Sequence, residues 1–273
     1  MTTPPPRNRL DRRTDPIFVG YLPTPLRDRR FLMVWIPLLL WGFVLLAIGL
    51  SLDQSSPGQG TWDTGHLLTL EGEVVPGPYP VLRVADPDSD AGVRSWLMVE
   101  QGKFGTQARV DALLDPGSAV TSIAVKASGF RIERDGRPML ELLPGMEGLQ
   151  RLEGTTPVAI PKSTSTLQEP GRYRGEIVDA KCWLGVMKPG AGKPHKACAT
   201  LCIGGGVPPM MVWFDQSGQR RRAVLVGQNG ESVVDRIRNF IADPVELTGR
   251  LEQRDDLFFL RLAQNPDAIR RTN

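Results

Sequence analysis

An uncharged run of apolar residues from Phe31 to Leu52 limits what this chain can become more than any other feature. A helix crossing the hydrocarbon layer of a membrane needs about 20 apolar residues at 1.5 Å rise each. A helix packed on a globular core would carry a polar stripe on its outer side, and this run has none. Trp35 and Trp41 suit a membrane environment. Pro37 falls within the first two turns, where a missing backbone hydrogen bond costs least. A cleaved signal peptide is the competing reading. Its apolar region spans about 7–15 residues and ends in a small-x-small site. The run here is longer, although Ala47-Ile48-Gly49 has the small residues in place. Arg29-Arg30 lacks the spacer of a twin-arginine signal.

Flanking charge sets the expected orientation. Arg7, Arg9, Arg12, Arg13, Arg27, Arg29 and Arg30 precede the run, and the next Lys or Arg after it is Arg83. The positive-inside rule then keeps the N-terminus in the cytoplasm and exports the rest. The expected layout is a disordered cytoplasmic tail at 1–30 and a single-pass inner-membrane helix at 31–52. A Gly/Ser/Pro tether at 53–65 leads to periplasmic domains. The formal net charge of the whole chain is +3, and much of the excess lies in that tail. The exported part is near neutral, which with its compartment argues against nucleic acid as a partner.

The exported part repeats itself. Leu70-Glu-Gly-Glu-Val-Val75 is echoed by Tyr173-Arg-Gly-Glu-Ile-Val178. Gly129 to Leu142 and Gly249 to Leu262 both read as two strands joined by an Asp-containing turn, with Arg134-Asp135 matched by Arg254-Asp255. Strands are expected near 67–75, 80–86, 95–101, 119–133 and 138–143, with a short helix near 105–114. The second copy has strands near 173–181, 209–215, 221–227, 245–253 and 257–263. Its helix spans 231–242, with Val233, Ile237, Phe240 and Ile241 on one face. Three strands, a helix and two strands is the order of a five-stranded OB-type barrel. The fold expected is therefore mainly β: two tandem OB-like β-barrels, each with one short helix, at 66–150 and 170–265. A Pro/Thr/Ser linker at 151–169 separates them and a tail follows at 266–273. A single elongated β-sandwich is the alternative.

Gly72 and Gly129 stand 57 positions apart, Gly175 and Gly249 stand 74 apart, so the second copy is longer by 17. The surplus lies between its first two strands, at 182–208. All three cysteines of the chain are there, as Cys182-x12-His195-x2-Cys198-x3-Cys202, with one of only two histidines. On a helical turn His195, Cys198 and Cys202 face one way. Several chemistries fit. A structural disulfide, Cys182 with Cys198 or Cys202, suits an oxidising compartment but leaves one thiol over. Three thiolates and an imidazole complete a tetrahedral shell for one zinc. Soft ligands with Met187, Met210 and Met211 nearby suit Cu(I) as well, though methionines more often fill cores. Cys198-x3-Cys202 with His195 close by suits thiol redox chemistry, although the usual redox spacing has two intervening residues. The last reading is a docking loop whose cysteines simply pack. Asp179 is placed to accept a hydrogen bond from His195 behind a metal. Neither a covalent haem motif nor a phosphate-binding loop is present, since Pro194 replaces the hydroxyl residue that the latter needs.

Gly175-Glu-Ile-Val-Asp179, Cys182, Gly192-Lys193, His195, Cys198-Ala199, Cys202 and Gly206-Val-Pro208 resemble a pattern in small exported bacterial OB-like proteins. There a Gly-x-Val-Val-Asp strand leads to a cysteine, then to Gly-x-x-His-x-x-Cys-Ala-x-x-Cys and Gly-x-Pro; the three residues between Cys198 and Cys202 match that spacing. The resemblance covers about 173–263, the second copy alone. It implies the small β-fold and the exported compartment, and no particular reaction.

His66 is expected on the surface, and Trp96, Trp183 and Trp213 in cores. Arg220-Arg221-Arg222 are expected in a solvated turn. With two histidines in all, a Ser-His-Asp set would have to use His66 or His195. No carboxylate pair stands out for glycoside chemistry, and the balance leans away from an enzyme. The function expected is a membrane-anchored periplasmic accessory or docking protein serving a membrane complex, its Cys/His knuckle stabilised by metal or disulfide. The alternative is a metal-handling or thiol-redox factor working through Cys198 and Cys202. Membrane lipid around 31–52 and a protein in or at the membrane are the expected partners.

Overall fold

The computed structural model describes residues 26–53, 60–114, 121–152 and 160–272. It divides into two units at Ser56/Pro57. The first is one helix, α1 (Leu26–Asp53), with Pro37 inside it. Its mean hydropathy from Asp28 to Leu52 reaches 2.5 and none of that stretch is buried. By length and composition α1 can cross a membrane or serve as a signal sequence. It begins earlier than expected, taking in Leu26–Arg30 from the anticipated tail, because a helix does not need apolar residues to continue its first turns. Residues 1–25 of that tail and 54–59 of the tether lie outside the described residues.

The second unit holds two closed five-stranded barrels. In the first, β1 (Thr61–Val75), β2 (Val81–Ala85), β3 (Val93–Val99), β4 (Ile123–Arg134) and β5 (Arg137–Leu142) run in the order β1-β2-β3-β5-β4, and β4 closes back on β1. β3 and β5 are parallel and the other neighbours antiparallel. Helix α2 (Gln107–Asp111) sits between β3 and β4, and β6 (Leu149–Arg151) extends β4. The second barrel repeats this with β7 (Ser165–Asp179), β8 (Pro209–Phe214), β9 (Arg220–Val226), β10 (Pro244–Arg254) and β11 (Leu257–Leu262). β9 and β11 are its parallel pair. Helix α3 (Lys196–Gly204) belongs to the insertion, α4 (Val234–Ile237) matches α2, and β12 (Ile269–Arg271) extends β10 as β6 extends β4.

The repeated glycines have a steric cause. A Cβ on Gly72 would overlap the Arg83 carbonyl, and one on Gly175 the Val212 carbonyl. Gly129 and Gly249 meet the carbonyls of Glu141 and Arg261 in the same way. Strands bent into so small a barrel approach too closely for a side chain at these points. Asp135 and Asp255 sit in the two β-turns at φ 50° and 51°, a left-handed conformation that Asp tolerates better than most residues.

Several boundaries differ from the expectation. β1 starts at Thr61, inside the expected tether, and pairs there with β4. β7 starts at Ser165 and β6 ends at Arg151, so only the middle of the expected linker connects the barrels, and 153–159 lie outside the described residues. The expected tail at 266–273 contains a 3-10 turn and β12. Polar residues hid these edge pairings, which rest on backbone hydrogen bonds. The helix expected over 231–242 shrinks to α4 and a following 3-10 turn, though Val233, Ile237 and Ile241 are buried as a face.

There are three apolar cores, not two. One fills each barrel. The third lies between them, where Tyr79, Leu97, Ile132 and Met139 of the first barrel meet Val178, Trp183, Leu184, Met210 and Phe259 of the second. β5 is buried on both faces for this reason: Leu140 and Leu142 face its own barrel, and Met139 faces the other. Fully burying a side chain such as Leu184 contributes about 2 kcal/mol.

Ion pairs cross this contact. The Lys181 ammonium lies 2.6 Å from Glu141 Oε1, both side chains 4% exposed, and donates to the Glu100 and Gly102 carbonyls. Trp62 Nε1 donates to the other Glu141 oxygen. Arg83 Nε donates to Asp255 at 2.8 Å, and Arg137 Nη1 donates to Asp256 at 3.0 Å. Gly105 N donates to the Gly205 carbonyl at 2.9 Å, a backbone approach that a Cβ on either glycine would block.

Removing one member of a buried ion pair strands the other's charge. Lys181→Met is expected to cost about 3–5 kcal/mol in denaturant unfolding of the full chain, and adding Glu141→Leu to recover most of it. Burial raises the pKa of the Glu252 carboxyl, but bonds from Arg254, Arg261 and Ser165 outweigh burial and hold it at about 2. A carboxylate depressed in the fold adds stability above its unfolded pKa and loses it as pH falls through the folded value. Glu252→Gln is therefore expected to cost about 2 kcal/mol at neutral pH and to flatten the loss of stability between pH 4.5 and 2, read by unfolding across that range.

Candidate metal centre

Residues 180–208 separate β7 from β8, where the first barrel needs only 76–80. β7 ends on Asp179, whose Oδ1 accepts the Cys182 amide at 2.8 Å and so starts the helical turn Cys182–Val186. That turn packs Cys182, Trp183 and Leu184 into the core between the barrels. Gly190 fits against the Cys182 carbonyl, where a Cβ would overlap it, and Gly192 takes φ 78°. A 3-10 turn then leads from Lys193 to His195 and into α3. Ala199, Cys202 and Ile203 form the buried face of α3. Gly205 and Gly206 end the helix, the latter at φ 95°, and Pro208-Pro209 open β8.

This path brings the expected ligands together. Ligand atoms of Cys182, His195 and Cys198 lie within 4.8 Å of one another, and so do those of Asp179, Cys182 and Cys202. Cys182 is common to both sets. The three cysteines are free, with Cys182 and Cys198 sulfurs 4.0 Å apart. A disulfide would need about 2.05 Å. Two thiolates on one tetrahedral zinc, with bonds of about 2.3 Å, stand about 3.8 Å apart. The observed spacing is too long for a disulfide and close enough for both sulfurs to reach one ion.

His195 is 2% exposed and its Nε2 lies 2.8 Å from Asp179 Oδ2. Asp179 itself is fully buried and holds the imidazole and the Cys182 amide at once. This is the arrangement expected from sequence. Met210 and Met211 fill cores on opposite sides of β8, Met210 in the shared core with Cys182 and Cys202 and Met211 inside the second barrel. Met187 does approach, its sulfur 3.6 Å from Cys198, and it is 41% exposed. His66 is exposed and paired with Asp63, remote from the cluster. Trp96, Trp183 and Trp213 are buried, as expected. Arg220, Arg221 and Arg222 are not in a turn; they lie on β9 and face a cavity.

Lys103 is the member the sequence concealed. It comes from the first barrel, and its Nζ lies 2.9 Å from Cys198 Sγ and 3.9 Å from Cys202 Sγ. No spacing rule reaches a residue 95 positions away on another barrel. The flanking Gly102 and Gly105 are its one local hint. The bond to Cys198 raises the Lys103 pKa. Hydrogen bonding from Cys182, then the Lys103 charge, lowers Cys202 to about 7, while its bond to Cys202 and burial push Cys182 up. The two thiols titrate as a coupled pair, with Cys202 the more readily ionised. Such a thiolate is a metal ligand in waiting.

No protein-family model, curated protein or solved structure matches this chain.

In metal-stripped, reduced protein one thiolate is expected to appear in the ultraviolet with a midpoint near pH 7. Lys103→Met is expected to move that midpoint upward, while Lys103→Arg holds it within a few tenths of a unit of the parent.

Proposed function

We propose that this chain is a membrane-anchored accessory protein of the periplasmic face, whose Cys/His knuckle holds one soft metal ion, zinc or Cu(I). The carrying observation is the triad of Cys182, His195 and Cys198, ligand atoms within 4.8 Å of one another, with the Cys182 and Cys198 sulfurs unbridged and Cys202 grouped with Cys182 and Asp179 beside it. Asp179 supports it. A ligating imidazole usually donates its second nitrogen to a carboxylate, and with Nε2 on Asp179 the lone pair falls to Nδ1. Metal affinity so placed is folding energy, because Cys182 and its neighbours also join the barrels. The anchor is α1, with the arginines before it favouring a cytoplasmic N-terminus. Welded barrels offer a rigid body for docking on a protein in or at the membrane.

A second reading, metal handling, is favoured by one observation. Cys198 is the only half-exposed thiol, and it carries the exposed Met187 at its side. That is where an ion would enter or leave.

Elemental analysis with free-thiol counting on the full chain, extracted from membranes without chelator, tests the site. One metal per chain, lost in His195→Ala, is the expected result. No metal with a single free thiol would overturn the metal reading and leave a disulfide-stapled knuckle. Cys198→Ser separates the two readings: a fixed knuckle loses several degrees of thermal stability, whereas a handling site keeps its fold and loses exchange of metal with a competing thiol chelator. Protease added outside spheroplasts is expected to remove residues 60–273; full protection would reverse the orientation.

A further inference from the structure

The second barrel contains a cavity of about 450 Å³ whose lining includes none of the knuckle's cysteines or His195. All five strands of that barrel line it, and Arg137 reaches in from the first. This volume lies within the common range for small-molecule sites, about 300–1,000 Å³. Its two walls differ in chemistry. One is aromatic: Tyr173 and Trp213 meet edge to face at 5.2 Å, with Phe258 beside them. The other is basic, made by Arg137, Arg220, Arg221 and Arg222.

Carboxylates partner the guanidiniums of the basic wall. Asp256 pairs with Arg137 at 3.0 Å and Asp215 with Arg221 at 2.7 Å. Asp135 serves both Arg220 and Arg222, at 3.8 and 3.7 Å. Arg134 adds a further positive charge close to Arg220. Burial first, and then the neighbouring Arg137 and Arg220 against the opposing Asp135, lower the Arg222 pKa to about 10. Guanidinium groups suit planar oxyanions because their N–H groups form a fixed fork. An aromatic wall selects a flat ring, preferentially packed edge to face or offset.

We propose that this cavity binds a small aryl anion, a flat aromatic ring carrying a carboxylate, sulfonate or phosphate, with the ring on Tyr173, Trp213 and Phe258 and the anion on Arg220, Arg221 and Arg222. The site is independent of the metal centre and stands whether or not the knuckle holds an ion. Its size fits one ring system with its anion, not a strand of nucleic acid crossing several stacking platforms.

Calorimetric titration of the full chain in lipid nanodiscs with naphthalene-2-sulfonate tests the proposal. Empty nanodiscs give the lipid background, and methanesulfonate and neutral naphthalene-2-sulfonamide serve as controls. The aryl sulfonate is expected to bind saturably, and each control at least tenfold more weakly. Arg221 is 51% exposed and, among the described residues, its ion pair is with Asp215, so its loss should spare the fold. Arg221→Ala is expected to weaken binding about tenfold and Arg221→Lys by no more than about threefold. Absence of saturable binding, equal binding of the sulfonamide, or an unchanged Kd in Arg221→Ala would overturn the proposal. So would a short oligothymidylate that binds more tightly than the aryl sulfonate, since that would make the face a single-strand platform.

Discussion

The Lys181 ammonium, carried on the last turn of chain before Cys182, is buried against Glu141 of the other barrel. Everything distinctive about this molecule depends on that contact holding. It fixes where β7 ends relative to β5, and so fixes where the helical turn of Cys182, Trp183 and Leu184 enters the core between the barrels. A buried charge pair is a costly way to join two surfaces, because both ions lose their water. Here the cost is offset by saturation: two carbonyls complete the ammonium and Trp62 completes the carboxylate. Such a contact discriminates strongly against other arrangements of the two barrels, since any slippage strands a charge.

The barrels are therefore one body with three cores, and the insertion is the piece that makes them so. In an isolated OB-type barrel, a long excursion between the first two strands would project into solvent. In this chain its first turn is driven into the neighbouring barrel, and its helix α3 is held by the close approach of Gly105 to Gly205. The metal-ligating chemistry thus sits at a joint. Lys103 shows the consequence: a charge supplied by the first barrel sits 2.9 Å from Cys198 of the second and favours ionisation of Cys202. The second barrel carries the candidate ligands, and the first supplies the charge beside them.

Much of this was legible from residue order. The repeat of Gly-Glu-Val and Arg-Asp placed the strands because the same steric demands recur in each barrel, namely a glycine where strands crowd and an aspartate in a left-handed turn. The spacing from Cys182 to Cys202, with His195 between, announced a shared site because ligands on one short helix keep their neighbours at three and four residues. The edges of β1 and β7 were missed. Their residues there are polar and exposed, so no hydrophobic pattern marks a pairing made by backbone alone. The arginines of β9 were misjudged for a related reason: charge in a row reads as solvated until a neighbouring wall encloses it.

The sequence by itself determined an apolar helix long enough to cross a membrane, the two small barrels and the Cys/His set close enough to bind a metal ion. Each of these rests on interactions close along the chain or on a period that strands and helices impose. Only the tertiary structure decided that the barrels share a core, that Lys103 belongs to the sulfur cluster, and that Arg137 joins Arg220–Arg222 over an aromatic cavity. Those contacts join residues tens of positions apart on separate barrels, and the physical reason they form is complementary burial and charge across a surface that no local pattern encodes.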